Sequence, residues 1–270
     1  MTVIFVRLSF GFVLWCCSCF ALAANCLNHI VYQEGSIPVL LTSPHGASSV
    51  KRLPGVRERS GLNIPSFINR SDTKTDKITQ NVAAQMERWK LAPFVVIAGI
   101  HRSQIDFNRP AQWAYEDSKA ANCYRQYHRQ IRKAVDHIRR RWGQGFLIDI
   151  HGQSRFVHDI MRGTRNHQTI RQLLERFGED VTEQPGGFYH SLRQKGYDVQ
   201  PNVGAKEAHY SGGFTLKVYG SHQPDGIDAL QIELGREVRV DPQQQQRIIR
   251  DISEAIQQFL LAYYPVTKYK

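Results

Sequence analysis

Short apolar runs separated by long amphipathic stretches constrain this chain more than any other feature. Residues 39–42, 93–99 and 146–150 are mostly apolar and residues 228–234 carry Ala229, Leu230, Ile232 and Leu234; at four to seven residues each they have the form of buried strands. Between them, residues 75–90 and 111–142 carry apolar side chains at helical spacing. Residues 242–264 form a closing helix, with Asp241 as N-cap and Pro242 in the first turn. Strand and helix in turn predict an α/β layer fold rather than an all-helical or all-β one. Residues 214–219 also read as a strand, and residues 46–69 and 161–167 read as loops.

The first 24 residues stand apart from this pattern. A single charge, Arg7, precedes an apolar run over residues 8–20 and then Ala21, Leu22, Ala23 and Ala24, the layout of a cleaved secretory signal. The competing reading is an uncleaved anchor, but the run is short for a span and small residues follow it. Asn25 directly before Cys26 excludes a lipoprotein signal. The expectation is a signal peptide over 1–24, one domain over 25–270, a periplasmic or secreted location, and no stable membrane insertion after cleavage. Of five cysteines, only Cys26 and Cys123 remain beyond the signal. A disulfide and two separate thiols are both open, because sequence does not give their distance.

A formal charge of +11 over the whole chain favours anionic neighbours but dictates no fold. Much of it lies on the helix over 111–142, through Arg129, Arg132, Lys133, Arg139, Arg140 and Arg141. Such a face is common on proteins that bind no nucleic acid, and no nucleic-acid partner is expected.

Polar residues at strand ends mark the chemistry. Ser43-Pro44-His45-Gly46 follows the first strand, Asp149-Ile150-His151-Gly152 ends the third, and Gln231-Ile232-Glu233 lies in the last. In α/β sheets the crevice outside the carboxyl ends of the strands is where ligands bind. Two imidazoles and a carboxylate at such ends suit zinc, which takes neutral nitrogens and carboxylate oxygens and leaves a position for water. A glycine after each histidine lets the chain turn sharply there. Residues 101–110 are dense in groups that hold carboxylates: Arg102 and Arg109 as planar forks and Asn108 as a neutral donor.

Taken in order, residues 43–46, 72–75, 102–110, 149–152 and 231–234 resemble the N-formylglutamate amidohydrolase family. The resemblance implies a single-domain three-layer α/β sandwich with a mixed central sheet, phosphorylase/hydrolase-like and similar to zinc carboxypeptidases. It implies Zn²⁺ as cofactor, with His45, Asp72 and His151 as metal ligands. Asp76 is the rival to Asp72, and Ser48 stands where carboxypeptidases carry an acidic ligand. Glu233 would be the general base and acid, the alternative being a buried carboxylate paired with Arg236 or Arg239. Arg102, Asn108 and Arg109 would anchor a substrate carboxylate, with Asp106 orienting an arginine. Gly212 and Gly213 would let the backbone approach the ligand, flanked by His209 and His222.

The function so implied is a secreted zinc-dependent amidohydrolase acting on N-formylglutamate or a related N-acyl amino acid or peptide bearing a carboxylate. A cell-wall peptide amidase or carboxypeptidase, and a non-catalytic basic binding protein of the envelope, are the alternatives.

Overall fold

The computed structural model describes residues 26, 28–46 and 52–264, so the signal read over 1–24 lies outside the described residues. Seven strands form one sheet: β1 (Ile30–Gln33), β2 (Val39–Ser43), β3 (Phe94–Ala98), β4 (Phe146–Gly152), β5 (Ile160–Gly163), β6 (Val199–Gln200) and β7 (Asp228–Leu234). Their spatial order is β1-β3-β2-β4-β7-β5-β6. The four central strands β3, β2, β4 and β7 are parallel, β1 is antiparallel to β3, and β5 is antiparallel to β7 and parallel to β6. The sheet is therefore mixed, as the resemblance implies.

Alternation along each strand sends successive side chains to opposite faces, and both faces are apolar. One face carries Val39, Leu41, Val95, Ile148 and Ile232. It is covered by α1 (Thr75–Arg88), α5 (Phe188–Gln194) and α8 (Pro242–Tyr263). The other carries Leu40, Phe94, Val96, Leu147 and Ala229 beneath α3 (Ala121–Trp142), whose Tyr127, Ile131, Ala134, Val135 and Ile138 recur at helical spacing. These two cores make the three layers. Each fully buried isoleucine contributes roughly 1.5–3 kcal/mol of apolar transfer free energy. The Asp241 carboxylate caps α8 by accepting from the backbone N–H groups of Gln243 and Gln244, as the sequence predicts.

Three sequence readings are corrected. Residues 111–142 are not one helix: α2 (Ala111–Ala114) ends and a 3-10 turn (Ser118–Ala120) intervenes, with the Asp117 carboxylate accepting from the Lys119 N–H. Residues 214–219, read as a strand, form the short helix α6 (Phe214–Tyr219). The Asn108 side-chain oxygen accepts from the Thr215 N–H at 2.8 Å, and Leu216 and Tyr219, three apart, bury on the same core as α3. The stretch read as a loop over 161–167 begins inside β5. There Arg162 is buried against Glu207 at 2.9 Å and Glu183 at 3.0 Å, an ion pairing that disguises a strand as polar. Two further short helices, α4 (Arg171–Phe177) and α7 (Arg236–Val240), complete the layers.

Cys26 and Cys123 form a disulfide with a Cα–Cα separation of 5.1 Å, tying the chain before β1 to α3. Among the described residues no helix is long and apolar enough to cross a membrane.

Candidate active site

The carboxyl ends of β2 and β4 and the loop entering α1 deliver three donors to one place. His45 follows β2, His151 lies in the last turn of the β4 ladder, and Asp72 sits two residues before the αL residue Lys74 that opens α1. The Asp72 N–H donates to the His45 carbonyl at 3.0 Å, and Asp72 in turn accepts at its own carbonyl from Thr75. The loop and the strand end are thus held together by backbone. Gly46 is required for that approach: a Cβ there would lie 2.1 Å from the Asp76 nitrogen. Asp72 Oδ2 lies 3.0 Å from His151 Nδ1 and 3.4 Å from His45 Nδ1. All three side chains are buried, and one donor atom from each falls within 4.8 Å of the others. Asp76, on the first turn of α1, is not part of this group.

The far side of each imidazole is taken by a carboxylate. His45 Nε2 lies 2.7 Å from Asp106 Oδ1, and His151 Nε2 lies 2.9 Å from Asp149 Oδ2. Asp149 is itself fixed by the Thr42 hydroxyl at 2.6 Å. With Nε2–H directed at a carboxylate, the lone pair of each ring resides on Nδ1, facing the other donors. His45 Nδ1 is buried and has no hydrogen-bond partner among the described residues. A buried imidazole nitrogen facing a carboxylate and a second imidazole is what a divalent cation needs, and these residues fit one.

Electrostatics follow from the packing. Burial alone would raise the Asp72 carboxyl, but the adjoining imidazoles of His151 and His45 outweigh it and hold the group well below the ordinary carboxylate range. Asp106 is likewise buried, but its contacts with His45 Nε2 and with the Arg102 and Arg59 guanidinium groups hold it well below the ordinary carboxylate range. Burial pushes Glu233 up to about 7, with His151 opposing and Asp72 adding to the rise. Glu233 stands directly across the ladder from His151. It lines the same cleft of about 870 Å³ as His45, Asp72 and Arg102. Among the described residues it forms no ion pair. Of the two arginines read as alternative partners, Arg236 and Arg239, the second donates instead to the carbonyls of Thr73, Gln153 and Leu234. Gly152 makes room for it, since a Cβ there would meet Arg239 Nε at 2.4 Å.

The block read as a single carboxylate anchor is divided. Arg102 lines the cleft, its Nε donating to Asp106 at 2.9 Å and its Nη1 lying 3.5 Å from Asp72 Oδ1. Asn108 lines it too, its amide nitrogen 3.2 Å from His151 Nε2. Arg109 does not. It donates to the Ser66 carbonyl and lines an adjoining hollow. Gly213 brings the backbone close to the Asn108 side chain. His209 is exposed and lies outside the cleft, as does His222. The roles of Asp106 and Asp149 behind the histidines were not read from the sequence. The second was accessible in principle, since Asp149 and His151 are two apart in a strand and share a face.

Residues 114–239 match the model of the family described as N-formylglutamate amidohydrolase. This stretch contains His151 and Glu233, while His45, Asp72 and Arg102 precede it. The structure of N-formylglutamate amidohydrolase from Ralstonia eutropha JMP134 is similar with a TM-score of 0.61 at 18% identity, covering 87% of this chain and 97% of that one. A gene product of Agrobacterium tumefaciens is similar with a TM-score of 0.60 at 15% identity, covering 87% and 95%. At such identities these likenesses concern the fold. No curated protein matches the sequence. The family whose model matches residues 114–239 is thus the one that the sequence motifs resemble.

Proposed function

We propose that this protein is a zinc-dependent amidohydrolase that cleaves an amide bond of a carboxylate-bearing N-acyl amino acid or peptide. The observation that carries this reading is the pair of imidazoles, each backed by a carboxylate and each turning Nδ1 toward Asp72, beside a glutamate raised to about 7. His45, Asp72 and His151 would hold the ion. When bound, zinc polarises the amide carbonyl and makes water acidic enough to attack it near neutral pH. Glu233, buried enough to exchange a proton near neutrality, would accept one from the attacking water and return it to the leaving nitrogen. Arg102, kept in place by Asp106, would hold the substrate carboxylate at the cleft wall. A cleft of about 870 Å³ suits a peptide as well as a formylated amino acid.

We place the protein in the periplasm or outside the cell. The signal-like first 24 residues support this, as does a disulfide that persists in oxidising compartments. The basic-helix alternative is weaker, because Arg132 and Arg139 of α3 are engaged with Asp225 and the Pro224 carbonyl.

The test is elemental analysis of the purified chain beside His45→Ala, His151→Ala, Asp72→Ala and Asp76→Ala. It is paired with hydrolysis of N-formyl-L-glutamate and N-acyl acidic peptides. About one zinc per wild-type chain is expected, lost from the first three variants and kept by the fourth. A wild-type chain that takes up no stoichiometric zinc and hydrolyses none of these amides would overturn the proposal.

A further inference from the structure

Beside the catalytic cleft lies a second hollow of about 370 Å³ that shares Arg102 and Asn108 with it and is lined further by Arg109, Arg165, Lys217, Trp113 and Phe214. Four cations line it and no carboxylate does. Two acidic groups stand behind them: Asp106, shared by Arg102 at 2.9 Å and by Arg59 and Arg109 at 3.8 Å each, besides His45, and Asp72, 3.5 Å from Arg102. Two carboxylates facing three guanidinium groups still leave a surplus of positive charge. Arg165 and Lys217, which line the same hollow, add to it. The Arg165 guanidinium donates to the Gly212 carbonyl through Nη1 at 3.3 Å, but its Nε is buried with no partner among the described residues. Unsatisfied guanidinium donors beside an excess of cations are the signature of a site awaiting an anion. Trp113 and Phe214 supply apolar walls against which an aliphatic stem can lie. The hollow is contiguous with the reacting centre, because the Asn108 side chain common to both spaces lies 3.2 Å from His151.

We propose that this hollow is a second anion subsite, built by Arg109, Arg165 and Lys217, and that the substrate is an acidic peptide carrying a further carboxylate beyond the one at Arg102. The assignment rests on the amidohydrolase reading, which makes an amide-linked polyanion the natural occupant. Inorganic phosphate shares the charge but not the amide chain.

Binding is measured by calorimetry at low ionic strength, in a Glu233→Gln background so that nothing is consumed. The probes are N-acetyl-tri-L-glutamate, its tri-L-glutamine isostere and inorganic phosphate. Arg165→Gln with Lys217→Gln is expected to weaken tri-glutamate binding at least ten-fold and to leave tri-glutamine binding unchanged. Lys217→Gln alone, at an exposed position where folding is not at risk, is expected to weaken it about three-fold. Equal affinities in parent and double variant would overturn the subsite. So would phosphate displacing tri-glutamate at equal concentration, which would make the hollow a phosphate pocket. If wild type hydrolyses no peptide while the charge-dependent binding contrast persists, the hydrolase reading fails and the subsite stands.

Discussion

The Nε2 atom of His45 lies 2.7 Å from Oδ1 of Asp106, and this contact decides which nitrogen of the ring faces Asp72 and His151. Removing the carboxylate while keeping the shape should therefore loosen the metal without emptying the site. In Asp106→Asn and Asp149→Asn the imidazoles lose their charged partners, and zinc affinity is expected to fall about 10–100-fold. Competition with a fluorescent chelator measures it. Unchanged affinity in both variants would show that the carboxylates serve only the fold.

Glu233→Gln should separate chemistry from binding. The amide keeps the shape and the contact with Gln231, while the proton acceptor is lost. Zinc content is expected to stay at wild-type level and kcat to fall about 10²–10⁴-fold. In the wild-type protein the carboxylate must be ionised to accept a proton, so kcat/KM should rise with pH through an acid limb. Burial sets that limb at about 7 without metal, and a cation on the neighbouring ligands draws it lower. A profile flat between pH 4 and 8 in wild type would exclude Glu233 as the base.

The central strands and the two histidines were legible because their signals are local. A strand buried on both faces is mainly apolar, and Gly46 and Gly152 mark the sharp packing beside each histidine. β1 and β6 are short edge elements, and β5 carries a buried arginine paired from residues about twenty and forty-five positions away, so no local pattern reveals them. The separation of Arg109 from Arg102 shows the limit of reading proximity from sequence. Seven residues apart, both line the adjoining hollow but only Arg102 also lines the cleft, the chain between them turning inward at Asp106 and Phe107, both fully buried. The link from Asp106 back to His45 spans 61 positions and belongs to tertiary structure alone.

The Cys26–Cys123 disulfide closes a loop over a separation of 97 residues. Long loops gain most from a cross-link, because the unfolded chain loses more freedom. Cys26→Ser with Cys123→Ser is expected to lower unfolding free energy by about 2–4 kcal/mol. Urea denaturation with and without reductant measures it. Reductant should shift the wild-type midpoint and leave the double variant unmoved. Coincident midpoints for oxidised and reduced wild type would remove the disulfide from the list of stabilising features.

His128 predicts a pH limit of stability distinct from the active site. Its ring packs among Tyr124, Tyr127 and Phe214, and its Nδ1 lies 2.9 Å from the Tyr219 hydroxyl, which in turn donates to the His128 carbonyl. Burial there disfavours the imidazolium and lowers the group to about 4. Above pH 6.5 the ring is neutral whether the chain is folded or not, and it imposes no penalty. As pH falls from about 6.5 to about 4 the unfolded chain takes up a proton that the folded one refuses, and stability is lost across that window. His151 and Glu233, both raised on folding, pull in the opposite direction. The measured quantity is therefore the difference between wild type and His128→Phe, followed by urea denaturation from pH 7 to pH 4. Wild type should lose on the order of 2 kcal/mol more than the variant across the window, with the two curves parallel above pH 7. Parallel curves throughout would mean that His128 titrates in the folded protein as freely as in the unfolded chain.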